Sequence, residues 1–104
     1  MAKYLLLYRG GSMPETEADQ ARVMQAWDAW FHELGQAVAD GGNPFTPATR
    51  SIAPDGSIGE GTAGPTGYSI LEADSLDAAV TLAKGCPVLR GGASIDVYET
   101  FDVM

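Results

Sequence analysis

The sequence has few of the residues that build disulfide frameworks, metal sites or cationic surfaces. Its 104 residues include one cysteine, one histidine and six Lys and Arg, against fourteen Asp and Glu, which gives a net charge of −8. One cysteine cannot form an internal disulfide, and six scattered cations do not make the clustered surface that nucleic acids or anionic membranes require. We therefore expect no nucleic-acid partner, no membrane partner, no metal and no cofactor.

Long apolar runs are also missing. The longest run, from Tyr4 to Tyr8, has the length of a strand and falls well short of the roughly 18–20 residues of a membrane span. The N-terminus has one lysine before this run and no small-residue cleavage site, so we expect no secretory signal and a cytoplasmic protein. Length and a hydrophobic fraction of 45% predict one globular domain over residues 1–104.

The first half of the chain shows a strand pattern followed by a helix pattern. Residues 3–8 are apolar almost throughout, which is typical of a central strand buried on both faces. Thr16 is a predicted helix N-cap. Apolar side chains at helical spacing between Val23 and Val38 predict an amphipathic helix of roughly 24 residues that ends at the glycines after Asp40.

The second half contains shorter patterns separated by glycine and proline. Alternation of apolar and polar residues predicts the last strand, and a capping residue followed by an apolar stripe predicts the second helix. In chain order we predict a strand at 49–53, a turn at 54–57, a glycine-rich loop at 59–67, a strand at 68–73, a helix capped by Asp74 or Ser75 and stopped by Gly85 and Pro87, and a strand at 94–101.

The predicted order, β-α-β-β-α-β, is that of the ferredoxin-like α+β fold. Two helices cover one face of such a four-stranded sheet and leave the other face open. Because the first strand is apolar on both sides, its second face is expected to pack against something, and a chain of this length has no spare element to cover it. The sequence therefore predicts a homodimer in which a second copy covers the open face.

Several segments resemble the YCII-related family, including its DGPF branch. The resemblance rests on KYLLLYRGG at 3–11, on the spacing Trp27-x-x-Trp30-x-x-Glu33-Leu34, and above all on GYSILEADSLDAAVTLAKGCPV at 67–88. It implies a dimeric α+β barrel, in which two ferredoxin-like sheets face each other. For the YCII branch it implies an enzyme with a recurrent His and Asp, and for the DGPF branch an association with sigma factors.

The chain departs from the family pattern at the residues that would carry chemistry. Trp27 occupies the position of the family's histidine, and Cys86 that of the aspartate before the proline that follows the second helix. The DGPF tetrapeptide is missing, since Asp55-Gly56 and Gly64-Pro65 are separate. The acid/base pair of the resemblance therefore does not carry over, and the catalytic residues are unknown.

A ligand pocket is expected where strand ends and glycine turns converge. Arg9 has the donor geometry to bind a small carboxylate, and the tyrosine hydroxyls supply further donors. A surface ion pair with one of the fourteen acids is the alternative for Arg9. Core packing is the alternative for Trp27. The pocket candidates are Tyr8, Arg9, Trp27, Asn43, Ser69 and Tyr98.

Other chemically active residues have structural interpretations. His32 falls on the polar side of the first helix, where we expect a surface residue. Cys86 follows a helix C-terminus, which disfavours a thiolate, so a buried packing role is expected. The G-x-G-x-x-G string at 59–64 is followed by a strand and not by a helix, which predicts a loop and not a phosphate site. Glu72 and Asp74 are assigned to solvation and capping.

Two functions from different classes follow. The first is a small-ligand-binding or regulatory homodimer without the family's His and Asp. The alternative is a lyase- or isomerase-like acid/base enzyme that uses a pocket in the dimeric barrel, with tyrosines and Arg9 as its polar groups.

Overall fold

Four antiparallel strands form the central sheet. The computed structural model, which describes residues 2–12 and 14–103, orders these strands β2-β5-β1-β6. Two further strands, β3 and β4, pair only with each other. The strands are β1 (Ala2–Arg9), β2 (Val38–Asp40), β3 (Arg50–Ile52), β4 (Ile58–Glu60), β5 (Pro65–Ala73) and β6 (Ser94–Glu99).

Two capped helices lie on one face of this sheet. Helix α1 (Glu17–Leu34) begins after Thr16, whose hydroxyl oxygen accepts the N–H of Asp19 at 3.1 Å, so the predicted cap is confirmed. Helix α2 (Leu76–Ala83) begins after Ser75, whose hydroxyl accepts the N–H of Ala78 at 3.1 Å. Neither helix has the length and apolar character needed to cross a bilayer.

The predicted 24-residue helix is wrong at its C-terminal end. Helix α1 has 18 residues, because Gly35 adopts a φ of +56°, a conformation that glycine reaches without strain. A 3₁₀ turn over Gly35–Ala37 then leads directly into β2. Val38 is apolar because it packs on the same core from the edge strand, and not because it continues the helix.

The second strand of the sheet is also not the predicted one. Edge strand β2 takes that place, while the segment predicted at 49–53 forms β3, one half of a separate hairpin with β4. The ends of the predicted loop at 59–67 belong to β4 and β5. The last strand ends at Glu99 rather than at residue 101.

The alternation of side chains divides the sheet into a helix side and an open side. Tyr4, Leu6 and Tyr8 of β1 are buried under the helices, whereas Leu5 and Leu7 on the opposite side are only half-buried. The helix-side core brings these residues together with side chains of β5, α1 and α2, among them Ser69, Leu71, Trp30 and Ala83. The prediction that β1 is buried on both faces therefore does not hold within one chain.

The chain is flat and exposes much surface for its mass. Its extents are 45 × 37 × 17 Å, and its radius of gyration is 15.3 Å, against about 13 Å for a compact chain of this length. Its accessible surface is 7492 Å², whereas a compact monomer of the same mass has about 5600 Å². The excess arises because one sheet face has no second layer.

Candidate functional site

The six predicted pocket residues do not converge on one place. Adjacent residues of a strand point to opposite faces, so Tyr8 and Arg9 lie on different sides of the sheet. Tyr8, Trp27 and Ser69 are on the helix side, Arg9 and Tyr98 are on the open side, and Asn43 is at the β5 edge. Within one chain, the structure therefore does not bring all six into a single pocket.

On the helix side, a chain of hydrogen bonds links two hydroxyl groups to the main chain. The Tyr8 hydroxyl donates to Ser69 Oγ at 2.7 Å, and Ser69 Oγ donates to the carbonyl oxygen of Gly41 at 2.8 Å. Ser69 is fully buried, so these bonds satisfy a polar group that would otherwise be costly to bury. These two hydrogen bonds connect β1, β5 and the segment after β2.

Trp27 and Cys86 complete the surroundings of Tyr8. The Trp27 ring meets the Tyr8 ring edge-on, with centroids 5.6 Å apart, and Cys86 belongs to the same buried cluster as Tyr8. Trp27 and Cys86, where the resemblance would place a His and an Asp, thus both lie in the surroundings of Tyr8. In this chain these positions contribute an indole ring and a thiol instead of an imidazole and a carboxylate.

This helix-side cluster is closed and chemically quiet. Burial raises the pKa of the Tyr8 hydroxyl far above its ordinary value, and burial also raises the pKa of the Cys86 thiol. Both groups therefore keep their protons at neutral pH. Within the described residues, every buried side-chain polar atom has a hydrogen-bond partner. The cluster packs the core, as expected for Cys86.

Removing the Tyr8 hydroxyl is expected to affect both stability and its pH dependence. We expect Tyr8→Phe to lower the free energy of unfolding at pH 7 by about 1–2 kcal/mol, because Ser69 loses a donor. Because the pKa of the Tyr8 hydroxyl is higher in the folded state than in the unfolded state, the protonated hydroxyl stabilises the folded protein at pH values below tyrosine's ordinary pKa of about 10. This stabilisation is lost as the pH rises through the pKa of the folded state. Urea unfolding between pH 7 and 11 should show a steeper alkaline decline in the wild type than in Tyr8→Phe. Equal declines would contradict this role of Tyr8.

On the open side, Arg9 is held by groups from β6. Its Nε donates to Asp96 Oδ2 at 2.5 Å. Hydrogen bonds with Asp96 and Tyr98 raise the pKa of the guanidinium, so its charge is fixed. Both members of the ion pair are close to half exposed, at 40% for Arg9 and 45% for Asp96. The ion pair expected as the alternative for Arg9 is thus present, and the Arg9 side chain stays partly exposed to solvent.

Asn43 takes part in the structure through its main-chain carbonyl oxygen. Its carbonyl oxygen accepts the N–H of Tyr68 at 3.3 Å, and the next residue, Pro44, forms a bridge with Gly67. A Cβ atom on Gly67 would lie 3.2 Å from the Asn43 oxygen, so glycine allows this close approach. The interaction anchors the start of the long excursion of the chain, residues 41–64, between the end of β2 and the start of β5.

This excursion encloses a groove of about 1050 Å³ on the open side. Its walls are residues 44–51 and 60–65, and its floor includes Leu7 of β1. Arg9 stands at its edge, since Arg9 Nη1 lies 3.3 Å from where a Cβ of Gly64 would be. The groove was not predicted, because the sequence indicated only glycine- and proline-rich loops there. A loop region rich in glycine and proline is the one feature of the sequence that could have indicated the groove.

The remaining candidates lie outside the helix-side cluster around Tyr8. His32 is exposed on α1, as expected. The glycine string at 59–64 runs from β4 to the start of β5, with no helix behind it, and lines the groove. In the described ranges, no three His, Cys, Asp or Glu side chains gather where a metal ion would fit.

Comparison with known proteins finds a similar fold. No protein-family model matches the chain, and no curated protein matches it. The structure is similar to that of 5-chloro-2-hydroxyhydroquinone dehydrochlorinase (TftG) from Burkholderia phenoliruptrix AC1100 in complex with 2,5-dihydroxybenzoquinone. The TM-score is 0.55 at 19% identity, over 95% of this chain and 93% of that chain. The chain therefore has a ferredoxin-like α+β fold that it shares with this enzyme.

Proposed function

We propose that the protein is a cytoplasmic homodimer of the YCII-related type, and that it binds a small planar anion in the groove on its open sheet face. The observation that carries the proposal is the placement of Arg9 at the edge of that groove. The helix-side cluster around Tyr8 is buried and fully hydrogen-bonded. The groove on the open side, at about 1050 Å³, is larger than the apolar cavity of about 170 Å³ between α2 and β6.

The lining of the groove suits an amphipathic ligand. Leu7 and Phe45 supply apolar surface, while Arg9 and Arg50 bring two of the six cations of an otherwise acidic chain to this place. Asp96 holds Arg9 through Nε and Tyr98 also interacts with the guanidinium, which leaves further N–H donors of this group to face an oxygen on a ligand. A small carboxylate or an ionised ring hydroxyl meets both requirements.

The surface excess supports the homodimer. About 1900 Å² more surface is exposed per chain than a compact monomer of this mass shows. Obligate homodimers bury about 2000–5000 Å² over both chains. Half-buried Leu5, Leu7 and Ile70 on the open face have the apolar character expected of such an interface.

The structural neighbour supports the choice of ligand class. That enzyme was solved with 2,5-dihydroxybenzoquinone, a six-membered ring that bears four oxygen atoms. Its activity also supports the alternative function, a small-molecule acid/base enzyme. In that case the proton-transferring groups would come from Glu60, Asp96 or Tyr98, at or next to the groove. The sigma-factor association implied by the DGPF resemblance stays a prediction.

Two measurements test the proposed function. Sedimentation equilibrium at micromolar concentration should give twice the chain mass of 10.9 kDa. Isothermal titration calorimetry with 2,5-dihydroxybenzoquinone and with benzoate should detect binding of at least one of them. Arg9→Gln should weaken that binding about 10- to 100-fold, because a charged hydrogen bond is lost.

The matched control is Arg22→Gln. Arg22 is an exposed cation of α1 that pairs with Asp19 on the helix side, far from the open face. We expect this variant to bind the probe as the wild type does. A monomeric mass would contradict the homodimer. Failure of both probes at millimolar concentration would contradict the ligand class, and equal binding by Arg9→Gln would contradict the assignment of Arg9.

A further inference from the structure

The hairpin of β3 and β4 is a well-formed local unit, which we call the arm (Arg50–Glu60). Its strands pair in register, with Ile52 directly opposite Ile58. The turn at its tip is closed by two main-chain hydrogen bonds of 2.8 Å, from Ala53 to the Ser57 carbonyl and from Gly56 to the Ala53 carbonyl. Asp55 Oδ1 also accepts the Ser57 N–H at 2.9 Å. The arm therefore has a defined shape.

The arm has little support from its own chain. Within the described residues, the only substantial contacts of β3 and β4 are with each other. Ile52 is 73% exposed and Ile58 is 71% exposed. An isolated two-stranded hairpin is marginally stable in water, and burying two isoleucines contributes about 3–6 kcal/mol. A surface that covers this isoleucine pair would therefore decide whether the arm persists.

The arm starts on the open side of the sheet and has the length to reach a facing sheet. Its base segments line the groove together with Leu7, which belongs to the open face. Each strand of the arm has three residues, which span about 10 Å when extended, and two packed sheets face each other at a distance of about 10 Å. In a dimer with facing open sides, each arm can thus reach the opposite sheet.

We propose that the arm is exchanged: in the dimer, Ile52 and Ile58 of one subunit pack on Leu5, Leu7 and Ile70 of its partner. This inference rests on the proposed homodimer and names how its site is completed. A second copy is the occupant because both surfaces are present in every chain, and because the excess area per chain matches what an obligate homodimer buries.

The exchange makes the ligand site a shared one. Leu7 lies both on the open face and in the floor of the groove, so an arm seated on Leu7 lies at the mouth of that groove. The groove of a single chain is open to solvent, whereas ligand pockets bury most of their ligand. The isoleucine pair of one subunit thus closes the groove whose cation, Arg9, belongs to the other.

A photo-cross-linking experiment tests the exchange without using a ligand. Ser57→Cys at the arm tip is labelled with a benzophenone maleimide, since the native Cys86 is buried and protected. The labelled chain, with natural isotopes, is refolded with a threefold excess of wild-type ¹⁵N chain and irradiated. We expect most cross-linked peptide pairs to join a light arm to a heavy peptide from β1 or β5.

The control label sits on the opposite side of the molecule. Gln25→Cys places the same cross-linker on exposed α1, and it should give no light–heavy pairs with β1 or β5. Cross-links from the arm that join only light peptides would overturn the exchange while leaving the dimer intact. A monomeric mass for the wild type would instead overturn the proposed function, so the two failures are distinguishable.

A second pair of variants tests the energetic role of the arm. Ile52→Ser combined with Ile58→Ser should raise the dissociation constant of the dimer at least 30-fold, because two large apolar contacts are lost at the interface. Circular dichroism of the helices should stay unchanged, since β3 and β4 have no substantial contact with them in the part of the chain that the structure describes. An unchanged dissociation constant would overturn the proposed packing of the isoleucine pair.

Discussion

Replacing Gly42 with alanine is expected to lower the free energy of unfolding by about 3 kcal/mol. Gly42 has a φ of +71°, and a Cβ atom there would lie 1.7 Å from the carbonyl oxygen of Tyr68. Backbone atoms cannot move aside as a flexible side chain can, so β2 must separate from β5. The neighbouring Gly41 carbonyl, which accepts the Ser69 hydroxyl, would be displaced as well. Urea unfolding monitored by circular dichroism measures this loss.

The chain offers a matched control for this substitution. Gly56 at the tip of the arm has a φ of +88°, but a Cβ atom there would meet nothing within 4 Å. Gly56→Ala therefore adds only the conformational cost, about 1 kcal/mol. Equal losses from the two variants would show that the positive φ alone matters, and would contradict the close approach of Gly42 to Tyr68.

Truncating Trp30 is expected to have a comparable or larger effect, because this side chain fixes α1 on the sheet. Trp30 is buried among aromatic neighbours, with ring centroids 5.7 Å from Trp27 and 5.2 Å from Phe31. Its Nε1 donates to the Leu82 carbonyl of α2 at 3.3 Å. We expect Trp30→Ala to lower the free energy of unfolding by about 3–5 kcal/mol in urea titrations.

Two variants separate the contributions of packing and hydrogen bonding at this position. Trp30→Phe keeps most of the ring but loses the bond to Leu82, so it should cost about 1–2 kcal/mol. Met24→Ala on the same helix removes a mostly exposed side chain and should change stability by less than about 0.5 kcal/mol. A loss below about 2 kcal/mol for Trp30→Ala would contradict the central place of this residue.

The sequence was most informative where a single residue has one dominant preference. Thr16 and Ser75 start helices because a hydroxyl that accepts a main-chain N–H is a local interaction, independent of the rest of the fold. The ferredoxin-like arrangement also followed from the pattern of strands and helices. The end of α1 was missed because the apolar stripe continues through Val38, and Gly35 in its midst was not recognised as a stop.

The site was harder to predict than the fold. The alternation of side chains along a strand is enough to place Tyr8 and Arg9 on opposite faces of the sheet. The prediction nevertheless put both in one pocket because they lie at the same end of β1. The groove was missed for a different reason. It depends on how residues 44–65 leave one sheet edge and return, and that path is set by contacts such as Asn43 with Tyr68. Local sequence patterns do not encode such contacts between distant segments.

The pairing of β1 with both β5 and β6 governs when this protein can fold during synthesis. Leu6 of β1 lies opposite Ser69 on one side and Val97 on the other. Strand β1 therefore waits for its partner β6 until some 90 further residues have been synthesised. Such distant pairings slow folding and prolong the exposure of apolar strands. Residues 1–93 hold eleven Asp and Glu against six Lys and Arg, and the resulting net charge of about −5 favours solubility until β6 is made.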